Sequence, residues 1–221
     1  EKSKTRRHLT EFWMMDAEMA FYDHEMNMKM QEELIYSIIQ KVLKECIQEL
    51  EILERDIEPL KKIKLPFTRL THNEAVKKLQ KLGSDIKDNE DLGGDDETLL
   101  TKDSDSPVFV DKWPAEIKSF YMKRDESDKL ALCDDLIAPE GFGEIIGGSQ
   151  REDDYNTLEK RIKEHKLPAK DFEWYLDLRK YGSVPHSGFG IGLERLVGWM
   201  CGTKHIRETI PFPRLITRLK P

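Results

Sequence analysis

Apolar and polar residues alternate with different periods in different parts of this chain, and the period predicts the element. Residues 28–54 carry Leu34, Ile35, Ile38, Ile39, Val42, Leu43, Cys46, Ile47 and Leu50, the three-and-four spacing of a helical stripe. They predict one helix, about 40 Å long at roughly 1.5 Å per residue, laid on a sheet or on a partner. Its methionine-rich start reads as core packing. Before it, residues 10–23 alternate large apolar side chains with carboxylates, which predicts a strand with one buried face. Thr71, His72, Asn73 and Glu74 spell a capping box that opens a helix running to Leu82, and Gly83 stops it. Short strands are predicted over residues 108–111, 119–123, 130–138 and 143–147, then helices over 153–165 and 170–181. Strands in succession followed by helices imply the α/β (α+β) class, a mainly antiparallel sheet flanked by helices.

Composition narrows the function classes. With 221 residues, 38% hydrophobic and 36% charged, the chain can bury one substantial core, and one large domain is the simplest count. No run of 18 apolar residues and no signal-peptide pattern is present, so neither a membrane partner nor secretion is indicated. Cys46, Cys133 and Cys201 lie far apart, which reads as reduced thiols in an intracellular, cytoplasmic setting with no zinc site. A net charge of −7 excludes a surface that grips nucleic acid as a whole, so such contact must be local. Residues 84–105 hold nine acidic residues and two lysines. They read as a solvated loop with one short helix near residues 97–100, without the spacing of a calcium loop.

The candidate chemistry lies elsewhere. Gly188, Gly190 and Gly192 alternate ahead of Glu194 and Arg195, leaving one face of an extended segment bare to a flat ligand, with Arg195 just inside the helix that follows. Leu193 stands where a dinucleotide-binding turn needs its third glycine, and no P-loop lysine follows. Asp135 and Glu144 interrupt apolar strands, where a buried charge costs several kcal/mol unless a cation meets it. Mg²⁺ held between two strands and an ion pair from Glu144 to Arg151 are equal readings. Asp134 competes with Asp135, since alternation sends only one of them to a given face. At the start, residues 1–8 carry four cations and one carboxylate, suited to gripping phosphates. Phe12 can stack a base whose other face Arg195 covers.

These residues carry a family resemblance. Residues 1–12, Glu-Lys-Ser-Lys-Thr-Arg-Arg-His-Leu-Thr-Glu-Phe, resemble the motif 2 loop and strand of class II aminoacyl-tRNA synthetases, and residues 188–195, Gly-Phe-Gly-Ile-Gly-Leu-Glu-Arg, resemble their motif 3. Residues 135–151 and 175–188 resemble the asparaginyl-tRNA synthetases within that class, with Gly147-Gly-Ser-Gln-Arg151 where the aspartyl enzymes typically have Ser-Gly-Ala-Gln-Arg. The resemblance implies ATP and Mg²⁺, asparagine and tRNA(Asn) as partners, and a homodimer. It assigns Glu1, Ser3, Arg7, His8, Phe12, Glu144, Gly190, Gly192 and Arg195 to ATP, with Arg7 and His8 towards the β and γ phosphates. Arg195, His8 and Arg7 carry catalysis, Asp135 and Glu144 hold the metal, and Arg151 and Gly147 face the amino acid. It also implies a chain that is the C-terminal part of a catalytic domain: motif 2 at 1–23, a long helix at 28–54, an acidic insertion at 84–105 and motif 3 at 186–201. Motif 1, the anticodon-binding domain and an arginine two residues before Glu1 are expected upstream. The competing readings are an aspartyl-tRNA synthetase, a synthetase-like asparagine synthetase and a non-catalytic paralogue.

Overall fold

A computed structural model describes residues 5–220. The first strand, β1 (Met14–Ala20), is shorter than its alternating pattern. Ahead of it the Thr10 amide binds the Arg214 carbonyl and the Trp13 amide binds Glu194, so those residues belong to a loop. Asp23 then caps α1 (His24–Glu45), its carboxylate accepting from the Met26 amide at 2.8 Å. The helix therefore starts four residues before the expected one. It also ends early, because Cys46 leaves helical geometry and α2 (Ile47–Ile52) is a separate helix. The short α3 (Glu58–Lys62) leads to β2 (Thr68–Thr71), a strand the sequence pattern did not announce.

The capping box forms as expected. Thr71 Oγ1 accepts from the Glu74 amide, Glu74 returns a bond to the Thr71 amide, and α4 (His72–Lys81) stops before Gly83, whose φ is +98°. Within the acidic stretch lies α5 (Gly94–Leu100). The strands β3 (Val108–Pro114), β4 (Leu130–Ala138) and β5 (Gly143–Gln150) follow. The strand expected at 119–123 is absent: that segment comes after a 3-10 turn and meets the sheet through isolated bridges, Met122 to Arg151 and then Arg124 to Ala131. Then come α6 (Tyr155–Glu164), α7 (Glu173–Lys180), β6 (His186–Gly192) and α8 (Leu193–Cys201).

Among the described residues the strands form one sheet in the order β1-β6-β5-β4-β3-β2, antiparallel except for β2 against β3. Alternation divides the core. Phe109, Leu136, Ile146, Phe189 and Ile191 pack with Met28, Ile35 and Ile39 of α1 and Trp199 of α8, while Val110, Cys133 and Ile137 pack with Ala75, Val76 and Leu79 of α4 and Leu100 of α5. A small third cluster joins α6 and α7 through Leu158, Ile162 and Leu176. With α4 packed on β2 and β3, the same face of β5, β6 and β1 is left to floor a cavity. No described helix is long and apolar enough to cross a membrane.

Candidate active site

The floor of that cavity is one register row. Asp16, Gly190, Gly147 and Asp135 stand opposite one another on β1, β6, β5 and β4, two carboxylates flanking two glycines. The cavity measures about 400 Å³, within the range of small-molecule sites. Arg7, His8, Phe12, Asp135, Glu144, Gly147, Arg151, Gly190, Gly192 and Arg195 all line it. The glycine face is less bare than alternation implied. A Cβ at Gly188 would collide with Glu18, one at Gly190 with Met14 and Asp16, and one at Gly192 would touch Arg195. The missing side chains thus first make room for β1 side chains lying across the strand, and only then for a ligand.

Arg195 is fixed from two sides. Its NH1 donates to the Glu144 carbonyl at 2.7 Å and to Glu144 Oε2 at 3.2 Å. Its NH2 lies 3.0 Å from His8 Nε2. A guanidinium only donates, so this contact makes Nε2 the acceptor and puts the His8 proton on Nδ1, which faces Thr5 Oγ1 at 2.5 Å. Glu194, next in sequence, accepts the Trp13 amide on both carboxylate oxygens at 3.0 Å. That bond joins the neighbours of Phe12 and Arg195, and so sets the spacing of the two groups expected to bracket a base.

Alternation decides between the two aspartates. Asp134 goes to the α1 side, fully buried near His24, while Asp135 reaches the cavity. Burial pushes the Asp135 carboxyl up to about 7, Lys118 opposing and Glu144 adding to the rise. Glu144 is raised by burial too, with Arg195 opposing and Glu97 adding. Each carboxylate has one oxygen on a cation: Asp135 Oδ2 meets Lys118 Nζ at 2.9 Å, and Glu144 Oε2 meets Arg195. The other oxygens, Asp135 Oδ1 and Glu144 Oε1, both approach the point where Gly147 lacks a Cβ, at 3.7 and 3.2 Å. Two raised carboxylates with a free oxygen each over a glycine fit a hard divalent ion that takes its remaining ligands from water and phosphate. No described group of three acidic, histidine or cysteine side chains could hold an ion by itself. The alternative partner for Glu144 is excluded by geometry, since Arg151 pairs with Glu18 at 2.6 Å and not with Glu144.

Arg7 is held by α5 and the turn before β5. Its NH1 donates to the Gly94 carbonyl at 2.9 Å and to Glu97 Oε2 at 3.1 Å, and its NH2 to Thr98 Oγ1 at 2.5 Å and the Gly141 carbonyl at 2.6 Å. Its guanidinium ties the loop to α5 while it also lines the cavity. Glu1 and Ser3 lie outside the described residues. Sequence reasoning missed Glu18, Asp16, Lys118 and Glu97. The first two stood in the alternating strand pattern as solvent-side carboxylates; nothing local marked Lys118 or Glu97, whose partners are distant in sequence.

Comparison with known proteins agrees with this architecture. The family model described as tRNA synthetases class II (D, K and N) matches residues 1–216, and the chain belongs to that family. Within it, the chain is 58% identical over 222 aligned positions to the asparagine–tRNA ligase of Desulforamulus reducens, covering all of this chain and 52% of that protein. The asparagine–tRNA ligase of Chloroflexus aurantiacus is 53% identical over 228 positions, with the same coverage. A crystal structure of asparaginyl-tRNA synthetase from Pyrococcus horikoshii complexed with asparaginyl-adenylate superimposes with a TM-score of 0.96 at 50% identity, over all of this chain and 51% of that one. The chain spans about half the length of the relatives it matches.

Proposed function

We propose that the protein containing this chain is an asparagine–tRNA ligase, which joins asparagine to ATP as asparaginyl-adenylate and then passes the acyl group to the 3′ end of tRNA(Asn). The observation that carries this reading is Arg195 held between His8 and Glu144 above a glycine floor, with Phe12 on the same cavity. Phe12 and Arg195 bracket the adenine. Arg195 and His8 face the phosphates, and the Gly190–Gly192 backbone lets the nucleotide lie close. Glu1 and Ser3 extend the same site on the strength of the resemblance. Asp135 and Glu144 would hold Mg²⁺, which neutralises phosphate charge when bound. The asparagine carboxylate attacks the α-phosphorus and pyrophosphate leaves, so no protein nucleophile is required. Rate comes from positioning and from fixed cations where charge develops. The chain is the C-terminal part of the catalytic domain of a cytoplasmic homodimer.

The Arg151–Glu18 pair supports asparagine over aspartate. Arg151 Nε and NH2 both bind Glu18 Oε1, at 2.9 and 2.6 Å, and Arg151 also lines the cavity. A guanidinium donates to an amide carbonyl while a carboxylate beside it accepts from the amide nitrogen, the complement of a primary amide. Aspartate would set its own charge against Glu18. The deciding experiment is ATP–pyrophosphate exchange by the full-length protein with asparagine and with aspartate, followed by tRNA charging. Asparagine-dependent exchange is expected. Exchange driven by aspartate alone overturns the substrate assignment, and none with either favours a paralogue without activity.

A further inference from the structure

Residues 84–105 read as a solvated insertion, yet one of their carboxylates is turned inward. Glu97, on α5, has a side chain only 16% exposed, and a single oxygen of it, Oε2, takes two donors: Arg7 NH1 and the backbone amide of Glu144, both at 3.1 Å. Arg7 is followed in the chain by His8, and His8 and Glu144 are the two partners of Arg195. The contacts therefore close a circuit of five residues: Glu97 to Arg7, along the backbone to His8, across to Arg195, on to Glu144 and back to Glu97. The loop with Arg7 and His8, the helix with Arg195 and the strand with Glu144 come from distant parts of the chain. Glu97 ties the first to the third. The space it occupies exists because Gly143, at φ +79°, has no side chain: a Cβ there would collide with Glu97 Oε2 and Arg7 NH1.

We propose that Glu97 is a positioning residue for ATP, holding Arg7 and the Glu144 amide so that His8, Arg195 and Glu144 stand in one arrangement before the nucleotide arrives. The proposal rests on the adenylate-forming reading above. Burial raises the Glu97 carboxyl, and the Glu144 amide, Arg7 and Arg195 oppose that rise. Groups that orient other site residues are worth about tenfold or more when removed.

The test uses the full-length protein with Glu97→Ala, Glu97→Gln, Arg7→Ala and the Glu97→Ala/Arg7→Ala double, measured by asparagine-dependent ATP–pyrophosphate exchange, ATP titration calorimetry and urea unfolding. Glu97→Ala is expected to raise the ATP KM and the calorimetric Kd about tenfold, leaving the asparagine KM within about twofold. Glu97→Gln, which keeps an acceptor oxygen, recovers part of the loss. The double variant is no worse than Arg7→Ala alone, because both substitutions open the same circuit. An unchanged ATP KM and Kd, an equal loss for ATP and asparagine that follows a lowered urea midpoint, or an additive double variant each overturns the proposal. Wild-type protein that binds ATP with this Glu97 dependence but exchanges nothing with asparagine overturns the functional reading alone, and wild type that binds no ATP overturns both.

Discussion

Arg195 contributes a charge whose position is fixed before any substrate binds, since His8 and Glu144 already hold its two ends. Removing a pre-positioned donor from developing charge typically costs a hundredfold to about a thousandfold in rate. Arg195→Ala is accordingly expected to lower asparagine-dependent exchange by about a thousandfold at an unchanged urea midpoint; near-normal exchange would contradict this placement. Glu18→Gln tests the amino-acid end. It removes the charge that aspartate would meet, so the ratio of asparagine to aspartate exchange should fall by about tenfold to a hundredfold. A ratio unchanged in the variant would detach Glu18 from substrate choice. Of the residues lining this cavity, Asp135, Glu144, Phe12 and Arg195 stood out by type and place in the chain, and His8 through the family resemblance. Glu18 and Glu97 did not, since a carboxylate reads alike whether it meets water or a guanidinium from the other end of the chain.

Helix ends behaved differently from helix faces. The apolar stripe located α1 correctly, yet its start moved to His24 because Asp23 supplies the capping carboxylate, a signal outside the periodic region. Asp23→Ala should cost about 1 kcal/mol in urea unfolding, and a loss below the error of the measurement would show that the cap adds nothing to the packed helix. Strands were read well where they are buried, as with β4, predicted over residues 130–138 and found at Leu130–Ala138. They were misread where apolar residues serve another purpose. Phe120 and Tyr121, in the segment expected to be a strand, instead pack against the α6–α7 cluster, and β2 is too short to show a period. The acidic insertion was half legible: its helix was expected, its inward-facing Glu97 was not.

At the scale of the whole molecule, the α1-to-sheet interface carries an electrostatic cost. Asp134 is fully buried, and burial raises its carboxyl to about 6, with the nearby His24 as the main opposing influence and Gln31, Asp135 and Asp111 also acting on it. A folded-state value above the unfolded one means that the folded protein binds the extra proton. Stability from this group is present below about pH 4 and is lost as pH rises through about 6, on the order of 3 kcal/mol in all. Asp134→Asn should flatten that part of the pH profile and raise the urea midpoint at pH 7; an unchanged slope would locate the titration elsewhere. The same sheet shows where sequence reading stops. Periodicity determined the class of fold and the helices on its faces, and the family resemblance marked the motifs of the site, because each depends on residues close together in the chain. Only the tertiary structure decided that Asp135 and not Asp134 enters the cavity, that β1 side chains cross the glycine strand, and that Arg7 pairs with Glu97. Those outcomes turn on which strand lies beside which and on which donor reaches an acceptor first, and both are set by packing between segments that are far apart in the chain.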